Sequence, residues 1–271
     1  MNDITVLQAI ILGALQGLAE FLPVSSSAHL SLAPWAFGWK EPGLAFDVAL
    51  HVGTLVALLW YFRAEWRRLL VAAWSIARTR RLQTLDDHRV LFLVIATIPG
   101  AIAGKLLKHQ AESVFRTPAL TATALIAMGA ILWLVDARAR RDRVIDSMRW
   151  LDALLVGCAQ AFAIIPGVSR SGATITAGRA MGFDRTNAAV FSFLMSMPII
   201  AAAAALELPA AVRESGVSLP LVVGVTTAGL SSWLAIAVLL RFVKTRGFAV
   251  FAMYRFILGA GVFALLALRG G

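Results

Sequence analysis

Two short polar segments interrupt otherwise apolar stretches of the sequence, and both carry residue types capable of chemistry. The first covers residues 23–27 (Pro-Val-Ser-Ser-Ser), with Glu20 before it and His29 after it. The second covers residues 166–171 (Pro-Gly-Val-Ser-Arg-Ser), with Thr174 following. Serine hydroxyls near a carboxylate or an imidazole can act as nucleophiles, and the planar fork of an arginine matches phosphate oxygens. These residue types together indicate phosphoryl transfer, with a diphosphate as the best-suited substrate.

The first segment holds the candidate nucleophiles and their candidate bases. The attacking group could be Ser26, Ser25 or His29, and the sequence leaves all three open. The proton of a serine would pass to His29 or Glu20. Gln16 lies four residues before Glu20 and therefore on the same helix face. Alternatively, Glu20 would hold a divalent cation that bridges phosphate oxygens, because hard cations prefer oxygen ligands.

The second segment adds the positive charge of Arg170. The residues predicted to bind the diphosphate alongside it are polar side chains from both segments: Gln16, Ser25, Ser27, Ser169, Ser171 and Thr174. Because serine favours the start of a helix, each segment also presents a helix N-terminus whose free N–H groups attract anions. A simpler alternative is a purely structural ion pair between Glu20 and Arg170, since each charge needs a partner inside a membrane.

Two further polar residues lie in apolar stretches away from these segments. His51, beside Gly53 and Thr54 in a predicted span, could contribute to a cavity. A structural role is favoured, because a lone intramembrane histidine most often forms a hydrogen bond between helices. Arg255 is a second cation within an apolar run, and the sequence alone assigns it no partner.

The composition places these segments in a membrane. The 271 residues are 59% hydrophobic and only 15% charged, whereas an ordinary soluble domain is about 25% charged. The formal net charge of +10 would suggest nucleic acid as the partner of a soluble protein. Here, however, the basic residues fall between apolar runs. We therefore expect an all-α polytopic membrane protein that has lipids, and no nucleic acid, as partners.

The apolar runs fall into two kinds. Six are long enough to span a membrane, which takes roughly 17–25 helical residues, and they cover residues 44–62, 90–107, 118–136, 188–206, 219–241 and 248–268. The regions 4–38 and 150–183 are also apolar, but the two polar segments break them in the middle. Since proline cannot continue the hydrogen-bond ladder of a helix, each of these regions is predicted to be a helix–loop–helix hairpin.

The basic residues predict the orientation. The segments 63–89, 137–149 and 241–247 hold seven, five and three Lys or Arg residues, and we expect them to be cytoplasmic loops. Both termini then lie outside. The two hairpins must enter and leave the membrane on the same side, the first from outside and the second from inside.

A weak internal repeat relates the two hairpins, because Gln16 and the serines that follow it recur 144 residues later, beginning at Gln160. The chain is therefore predicted to be one membrane domain, 1–271, with a first repeat over 1–136 and an inverted second repeat over 150–268. Inverted repeats with paired broken helices place a binding site where the breaks meet. Two ordinary proline kinks are the alternative structure.

This architecture is also typical of transporters. A transporter or flippase for an anionic polyprenyl lipid, using the same midplane site, is therefore the alternative to an enzyme. A transporter leaves its cargo chemically unchanged, so release of phosphate by solubilised protein distinguishes the two functions.

Two long motifs resemble those of a known family, the undecaprenyl-diphosphate phosphatases of bacterial inner membranes, also called bacitracin-resistance proteins. Residues 16–29 are similar to the first motif of the family, and residues 166–174 are similar to the second. Residues 191–198 and 254–256 are similar to further family segments. The resemblance covers essentially the whole chain.

The resemblance implies hydrolysis of undecaprenyl diphosphate to undecaprenyl phosphate and inorganic phosphate. That reaction recycles the lipid carrier for cell-wall synthesis and gives bacitracin resistance. The resemblance also implies a divalent cation, Mg²⁺ or Ca²⁺, as cofactor, and a homodimer. The protein would be a multi-pass protein of the bacterial inner membrane, with its site open to the periplasm.

Carried over residue by residue, the resemblance makes Glu20 the essential acid and the candidate metal ligand. Ser26 matches the serine proposed as nucleophile. His29 matches the catalytic histidine, and Arg170 matches the phosphate-binding arginine. Gln16 stands where some members carry Glu, which counts against a metal site made of two carboxylates in this motif.

Overall fold

The fold consists of helices joined by short connections. The structure, a computed structural model, describes residues 4–107, 109–110 and 114–270. Within these residues the only β-pairing is an isolated bridge, and there are eleven α-helices: α1 Val6–Phe21, α2 Ser26–Phe37, α3 Leu44–Tyr61, α4 Arg63–Thr79, α5 Leu85–Leu106, α6 Pro118–Arg138, α7 Trp150–Ala161, α8 Arg170–Ala180, α9 Arg185–Ser215, α10 Leu219–Phe242 and α11 Ala249–Leu268.

Five of the described helices are long and apolar enough to cross a membrane: α5, α6, the Arg185–Pro209 part of α9, α10 and α11. The helices α3 and α4 are bent by 85° against each other and make a sixth span if the pair is counted as one. The apolar helices α1 and α7 are shorter. The expected all-α polytopic class is confirmed. The expected number of six spans is reached only with the bent pair.

The basic stretch 63–81 was expected to be a solvated or headgroup-facing loop, and the expectation of a loop is wrong for residues 63–79. These residues form α4, which buries Leu69 and Ala72 and leaves Leu70 and Trp74 exposed together with several arginines. A helix with basic residues and exposed tryptophan is typical of the membrane surface. Because α4 has apolar side chains as well as arginines, it can lie as a helix in the headgroup region of the membrane.

The two halves of the chain pack against each other reciprocally. Helix α1 lies against α10 and helix α7 against α5, while α3 contacts α9 and α6 contacts α11. Two glycines 144 residues apart, Gly13 and Gly157, allow the close approaches, because a Cβ at either would collide with the backbone of Gly224 or Ala96. Small residues commonly let membrane helices approach in this way. This reciprocal pattern is the one that an inverted repeat predicts.

One end of the bundle, which we call the basic end, is fastened by a buried ion-pair cluster. Asp136 of α6 accepts hydrogen bonds from Arg179 Nε (2.8 Å), Arg185 Nη2 (2.7 Å) and the backbone N–H of Phe248 (3.1 Å). Arg179 is fully buried at the C-terminal end of α8. The cluster therefore joins α6, α8, α9 and the start of α11.

A second ion pair at the basic end holds the start of α7. Arg143, in the connection between α6 and α7, donates to Asp152 across 2.6 Å. The Asp152 carboxylate raises the pKa of the Arg143 guanidinium above its usual value. At the opposite end of the bundle, Arg269 donates to the carbonyl oxygens of Trp35 (3.0 Å) and Ala36 (2.9 Å). We call this second end the terminal end, because α1 begins and α11 ends there.

Candidate active site

The two polar segments form breaks between helices, and the breaks share one backbone geometry. The first break lies between α1 and α2, and the second lies between α7 and α8. The residue before each second helix has a positive φ, 75° at Ser25 and 71° at Ser169. This conformation costs a residue other than glycine about 1–3 kcal/mol and is often found at functional sites. Each of these serines caps its helix by accepting a backbone hydrogen bond, from Ala28 N–H (3.4 Å) and Gly172 N–H (3.1 Å) respectively.

Arg255 of α11 fastens the two breaks to each other. Its guanidinium donates to the carbonyl oxygen of Pro23 in the first break (3.2 Å) and to those of Gly167 (2.5 Å) and Val168 (2.9 Å) in the second. Its Nε donates to the carbonyl oxygen of Leu125 in α6 (3.1 Å). The side chain is fully buried. Arg255 is therefore paired with backbone carbonyl oxygens. A search of the sequence for an acidic partner does not find them, because every residue carries a carbonyl group.

Glu20 lies where the two breaks meet. Its Oε2 accepts hydrogen bonds from Ser26 Oγ (2.5 Å) and Gln16 Nε2 (3.0 Å). Its Oε1 pairs with Nη2 of Arg170, which comes from the second break. Only 6% of Glu20 is exposed, so Arg170 rather than water balances the carboxylate charge. An acid, a hydroxyl and a cation that suits phosphate are thereby brought to one point.

His51 of α3 approaches the same carboxylate. Its Nε2 lies 3.6 Å from Glu20 Oε2, and its Nδ1 lies 2.7 Å from the carbonyl oxygen of Asp47. A structural role was favoured for His51 from the sequence. In the structure, His51 also lies beside Glu20, the most buried acid of the site. The spacing of Asp47 and His51 places both on one helix face, but only the packing of α3 against α1 brings Glu20 to them.

These groups line a cavity of about 300 Å³. Its polar wall comes from both breaks and from α3 and α7: Glu20, Ser26, Ser27, His51, Gln160, Ser169 and Arg170. Much of its apolar wall comes from α5 and α9, including Gly100, Gly104, Ile199 and Ala203. A cavity with a cationic polar wall and an apolar wall suits a lipid that carries a phosphate headgroup.

A second cavity, of about 210 Å³, shares Ser27, Val48, His51 and Ile164 with the first. It extends to Glu41 and Arg116 at the terminal end. We call it the outer cavity. The outer cavity therefore adjoins the site on the side of the terminal end, opposite the basic loops.

Several residues expected at the site brace the breaks and do not line either cavity. Ser25 Oγ also accepts a hydrogen bond from the backbone N–H of Gly167 (3.2 Å). Ser171 Oγ donates to the carbonyl oxygen of Leu22 (3.2 Å). Thr174 is buried, with its Oγ1 at 2.6 Å from Ser192 Oγ. These contacts hold the two breaks together and hold α8 against α9.

His29 and Gln16 also lie behind the cavity wall. The Nδ1 of His29 bonds to the carbonyl oxygen of Ser25 (2.7 Å), and its Nε2 bonds to Tyr254 Oη (2.6 Å). Gln16 reaches the site only through its hydrogen bond to Glu20, and its Oε1 is buried with no hydrogen-bond partner. Tyr254 and Ser192 lie in the further segments that resemble the family, but the sequence gave neither residue a partner, because one polar side chain in an apolar span gives no sign of what it contacts.

The residues at the cavity do not fit a resident divalent cation. In the described part of the chain, no group of three or more His, Cys, Asp or Glu side chains is arranged to hold a metal ion. Both oxygens of Glu20, the carboxylate in the larger cavity, already accept hydrogen bonds. Ca²⁺ takes about six to eight oxygen ligands, and Mg²⁺ usually keeps several waters and is held by one or two carboxylates together with substrate phosphates, so a resident ion needs a fuller set of protein oxygens. The unpartnered Oε1 of Gln16 adds one neutral oxygen, which does not complete such a set.

Fold and site together define a class: a polytopic helical membrane protein in which two helix breaks form a buried site suited to a phosphorylated lipid. Residues 9–261 match the family model described as bacitracin resistance protein BacA. The chain belongs to this family.

Its relatives are similar along their whole length. The undecaprenyl-diphosphatase of Gemmatimonas aurantiaca is 59% identical over 265 residues, which cover 98% of this chain and 99% of the relative. The undecaprenyl-diphosphatase of Pelotomaculum thermopropionicum is 47% identical, covering 98% of each chain. The undecaprenyl-diphosphatase of Moorella thermoacetica is 48% identical, covering 98% of this chain and 99% of the relative.

Proposed function

We propose that this chain is a membrane-embedded hydrolase that converts undecaprenyl diphosphate to undecaprenyl phosphate and inorganic phosphate. The observation that carries the proposal is the contact of Ser26 and Arg170 with one buried carboxylate, Glu20, in a cavity wall. Relatives named for this activity match nearly the whole chain. The reaction recycles the lipid carrier for cell-wall synthesis, and the BacA family description accounts for bacitracin resistance.

In the first half of the reaction, the Ser26 hydroxyl attacks the terminal phosphorus. Its proton passes along the 2.5 Å hydrogen bond to Glu20 Oε2. A bond forms between Ser26 Oγ and phosphorus, and the bond from phosphorus to the bridging oxygen breaks. Undecaprenyl phosphate leaves with the bridging oxygen and its electron pair. Since protonated Glu20 no longer needs a cation, Arg170 is free to bind the oxygens of the transferring phosphoryl group.

In the second half, water hydrolyses the phosphoserine. The oxygen of the water bonds to phosphorus while ionised Glu20 takes a proton from the water, and the bond between phosphorus and Ser26 Oγ breaks. Glu20 then gives this proton to the serine oxygen, and inorganic phosphate leaves. Helices α2 and α8 both begin at the cavity wall, so the positive ends of their dipoles stabilise the charge on the phosphoryl oxygens.

Ser26 is better placed as nucleophile than the two alternatives. Ser25 Oγ accepts two backbone hydrogen bonds and lies outside both cavities. Both ring nitrogens of His29 are engaged, one by Ser25 and one by Tyr254. The role we propose for His29 is therefore to hold α2 against α11, which keeps Ser26 beside Glu20.

We propose that the divalent cation, Mg²⁺ or Ca²⁺, is carried by the diphosphate and not by a protein site. Diphosphate oxygens supply the hard ligands that the cavity lacks. We expect substrate-free protein to bind these ions equally well as the wild type and as Glu20→Gln, measured by equilibrium dialysis in detergent. Binding that is tight in the wild type and lost in Glu20→Gln would show a resident site.

The orientation that we propose places the basic end in the cytoplasm of a bacterium and the outer cavity on the periplasmic side of the inner membrane. The segments rich in arginine lie at the basic end, as the positive-inside rule requires. Both termini are then outside. The homodimer implied by the resemblance stays a prediction, and the mass of the detergent-solubilised protein tests it.

Phosphate release by purified protein in detergent tests the function. We expect release from a polyprenyl diphosphate by the wild type and not by Ser26→Ala, with ³²P from the terminal phosphate trapped on Ser26 after rapid acid quenching. A flippase gives no release in detergent, because detergent removes the two compartments.

A further inference from the structure

Three histidines of this chain share one local arrangement. Each ring bonds through Nδ1 to the carbonyl oxygen four residues before it: His29 at 2.7 Å, His51 at 2.7 Å and His88 at 2.9 Å. A carbonyl oxygen can only accept a hydrogen bond, so Nδ1 carries the hydrogen in all three. In the neutral ring, Nε2 then keeps a lone pair and can accept a proton.

The three rings differ in what Nε2 meets. The Nε2 of His29 is bonded to Tyr254 Oη, and His88 is exposed at the surface. The Nε2 of His51 faces Glu20 Oε2 at 3.6 Å. The His51 side chain is 32% exposed, whereas the Glu20 side chain is 4% exposed. His51 also lines both the larger cavity and the outer cavity. It therefore lies between a buried acid and a path to the terminal end.

The proposed reaction leaves one proton to be removed in each cycle. Glu20 receives the proton of Ser26 in the first half, and it must be ionised again before it can accept a proton from water in the second. Its other neighbours cannot take that proton, because Gln16 is a neutral amide and Arg170 is already a cation. Of the described groups that contact Glu20, His51 is the one with a basic lone pair.

We propose that His51 is the proton relay of this enzyme, carrying a proton from Glu20 to the outer cavity between the two halves of the reaction. The inference rests on the proposed function. The O–H bond of protonated Glu20 breaks and an Nε2–H bond forms on His51, which gives a carboxylate and an imidazolium. The imidazolium then gives the proton to water of the outer cavity and becomes neutral again.

The charged groups around His51 suit this direction of transfer. In the structure the Arg170 cation (α8) pairs with ionised Glu20 (α1), so the cycle ends with Glu20 as a carboxylate. Asp47 lies one turn earlier on α3, and Glu41 and Arg116 lie in the wall of the outer cavity. Two acidic side chains, Asp47 and Glu41, therefore line the outer cavity together with His51.

The matched pair His51→Gln and His88→Gln tests the relay. Both variants replace a ring that bonds to its own helix, but only the first removes a base beside Glu20. We expect His51→Gln to lower kcat for phosphate release by about 100-fold, with little change in KM. We expect His88→Gln to equal the wild type.

Chemical rescue separates a relay from a structural role. In His51→Ala, added imidazole should restore part of the rate, because the free base can take the proton of Glu20 in place of the missing ring.

Two outcomes would overturn the relay. One is a His51→Gln enzyme with kcat within about twofold of the wild type. The other is a folded, slow His51→Gln enzyme together with a folded His51→Ala enzyme that imidazole does not rescue. Folding is checked by size exclusion and thermal unfolding. Absence of phosphate release from the wild type would instead refute the proposed function.

Discussion

The two helix breaks have matching backbones, but their side chains at corresponding positions, 144 residues apart, differ: Glu20, Ser26 and His29 in the first, and Ile164, Arg170 and Ala173 in the second. In both breaks the residue before the second helix is a serine with positive φ. The shared part therefore builds the scaffold, and the unshared part supplies the chemistry. The first break brings the acid and the nucleophile, and the second brings the cation.

This division of roles explains why one half of the molecule would not suffice. A hydroxyl and a carboxylate can activate a nucleophile, but the charge of a diphosphate must also be compensated. A repeat that kept the same residues in both halves would place two acids in one buried site. The divergence of the two breaks turns a symmetric scaffold into an asymmetric site.

The largest effects are expected where the breaks differ. Ser26→Ala should lower kcat for phosphate release by about 10⁴-fold or more, because it removes the nucleophile. Arg170→Ser, which places a hydroxyl of the first break in the second, should lower it by about 10³-fold. Ser147→Ala, at an exposed serine of the basic end, is the matched control. Wild-type turnover in Ser26→Ala would contradict Ser26 as the nucleophile. Wild-type turnover in Arg170→Ser would contradict Arg170 as the cation that binds the phosphoryl group.

Replacement of Arg255, which is hydrogen-bonded to both breaks, should destabilise the two breaks together. Arg255→Met leaves four buried carbonyl oxygens without their donor, at Pro23, Leu125, Gly167 and Val168. We expect a loss of about 4 kcal/mol in the free energy of unfolding, measured by denaturant unfolding in detergent. Arg255→Lys keeps the charge but not the fork, and should lose somewhat less. Wild-type stability in both variants would contradict the role of Arg255.

The second break has an additional anchor at the basic end. Asp136→Asn leaves the buried Arg179 without its counter-ion and should cost about 3 kcal/mol of unfolding free energy. Since the cluster touches only the far end of α8, the folded variant should keep kcat within a few-fold. Asp146→Asn, which breaks an exposed pair with Arg89, should cost less than about 1 kcal/mol. Equal losses in the two variants would contradict the importance of burial.

The smallest effects on stability should come from replacing the capping serine with positive φ, which both breaks have in common. Ser25→Ala and Ser169→Ala each remove a helix cap and keep the strained φ, so each should cost about 1 kcal/mol. Ser25→Ala should cost more, because Ser25 also accepts a hydrogen bond from Gly167. Replacement by glycine relieves the strain and should be close to neutral at Ser169. Thermal unfolding of the four variants checks this order.

Much of this organisation could be predicted before the fold was known. The limits of α6, α10 and α11 lie within two residues of the predicted spans, because long apolar runs between basic connections leave little choice. Residues 63–79 could not be assigned in this way, because an amphipathic surface helix has the composition of a charged loop. The partners of Arg255 were also beyond reach, since backbone carbonyls carry no mark in a sequence.

By itself, the sequence determined the membrane class, the two breaks and the residue types that could handle a phosphate, because hydropathy, proline and serine act locally. Only the tertiary structure decided which of these residues meet. It placed Ser26 and Arg170 on the same carboxylate and turned His29 toward Tyr254. It also brought His51 to Glu20. Such pairings depend on how helices from two halves of the chain pack, and the spacing along one chain does not encode those distances.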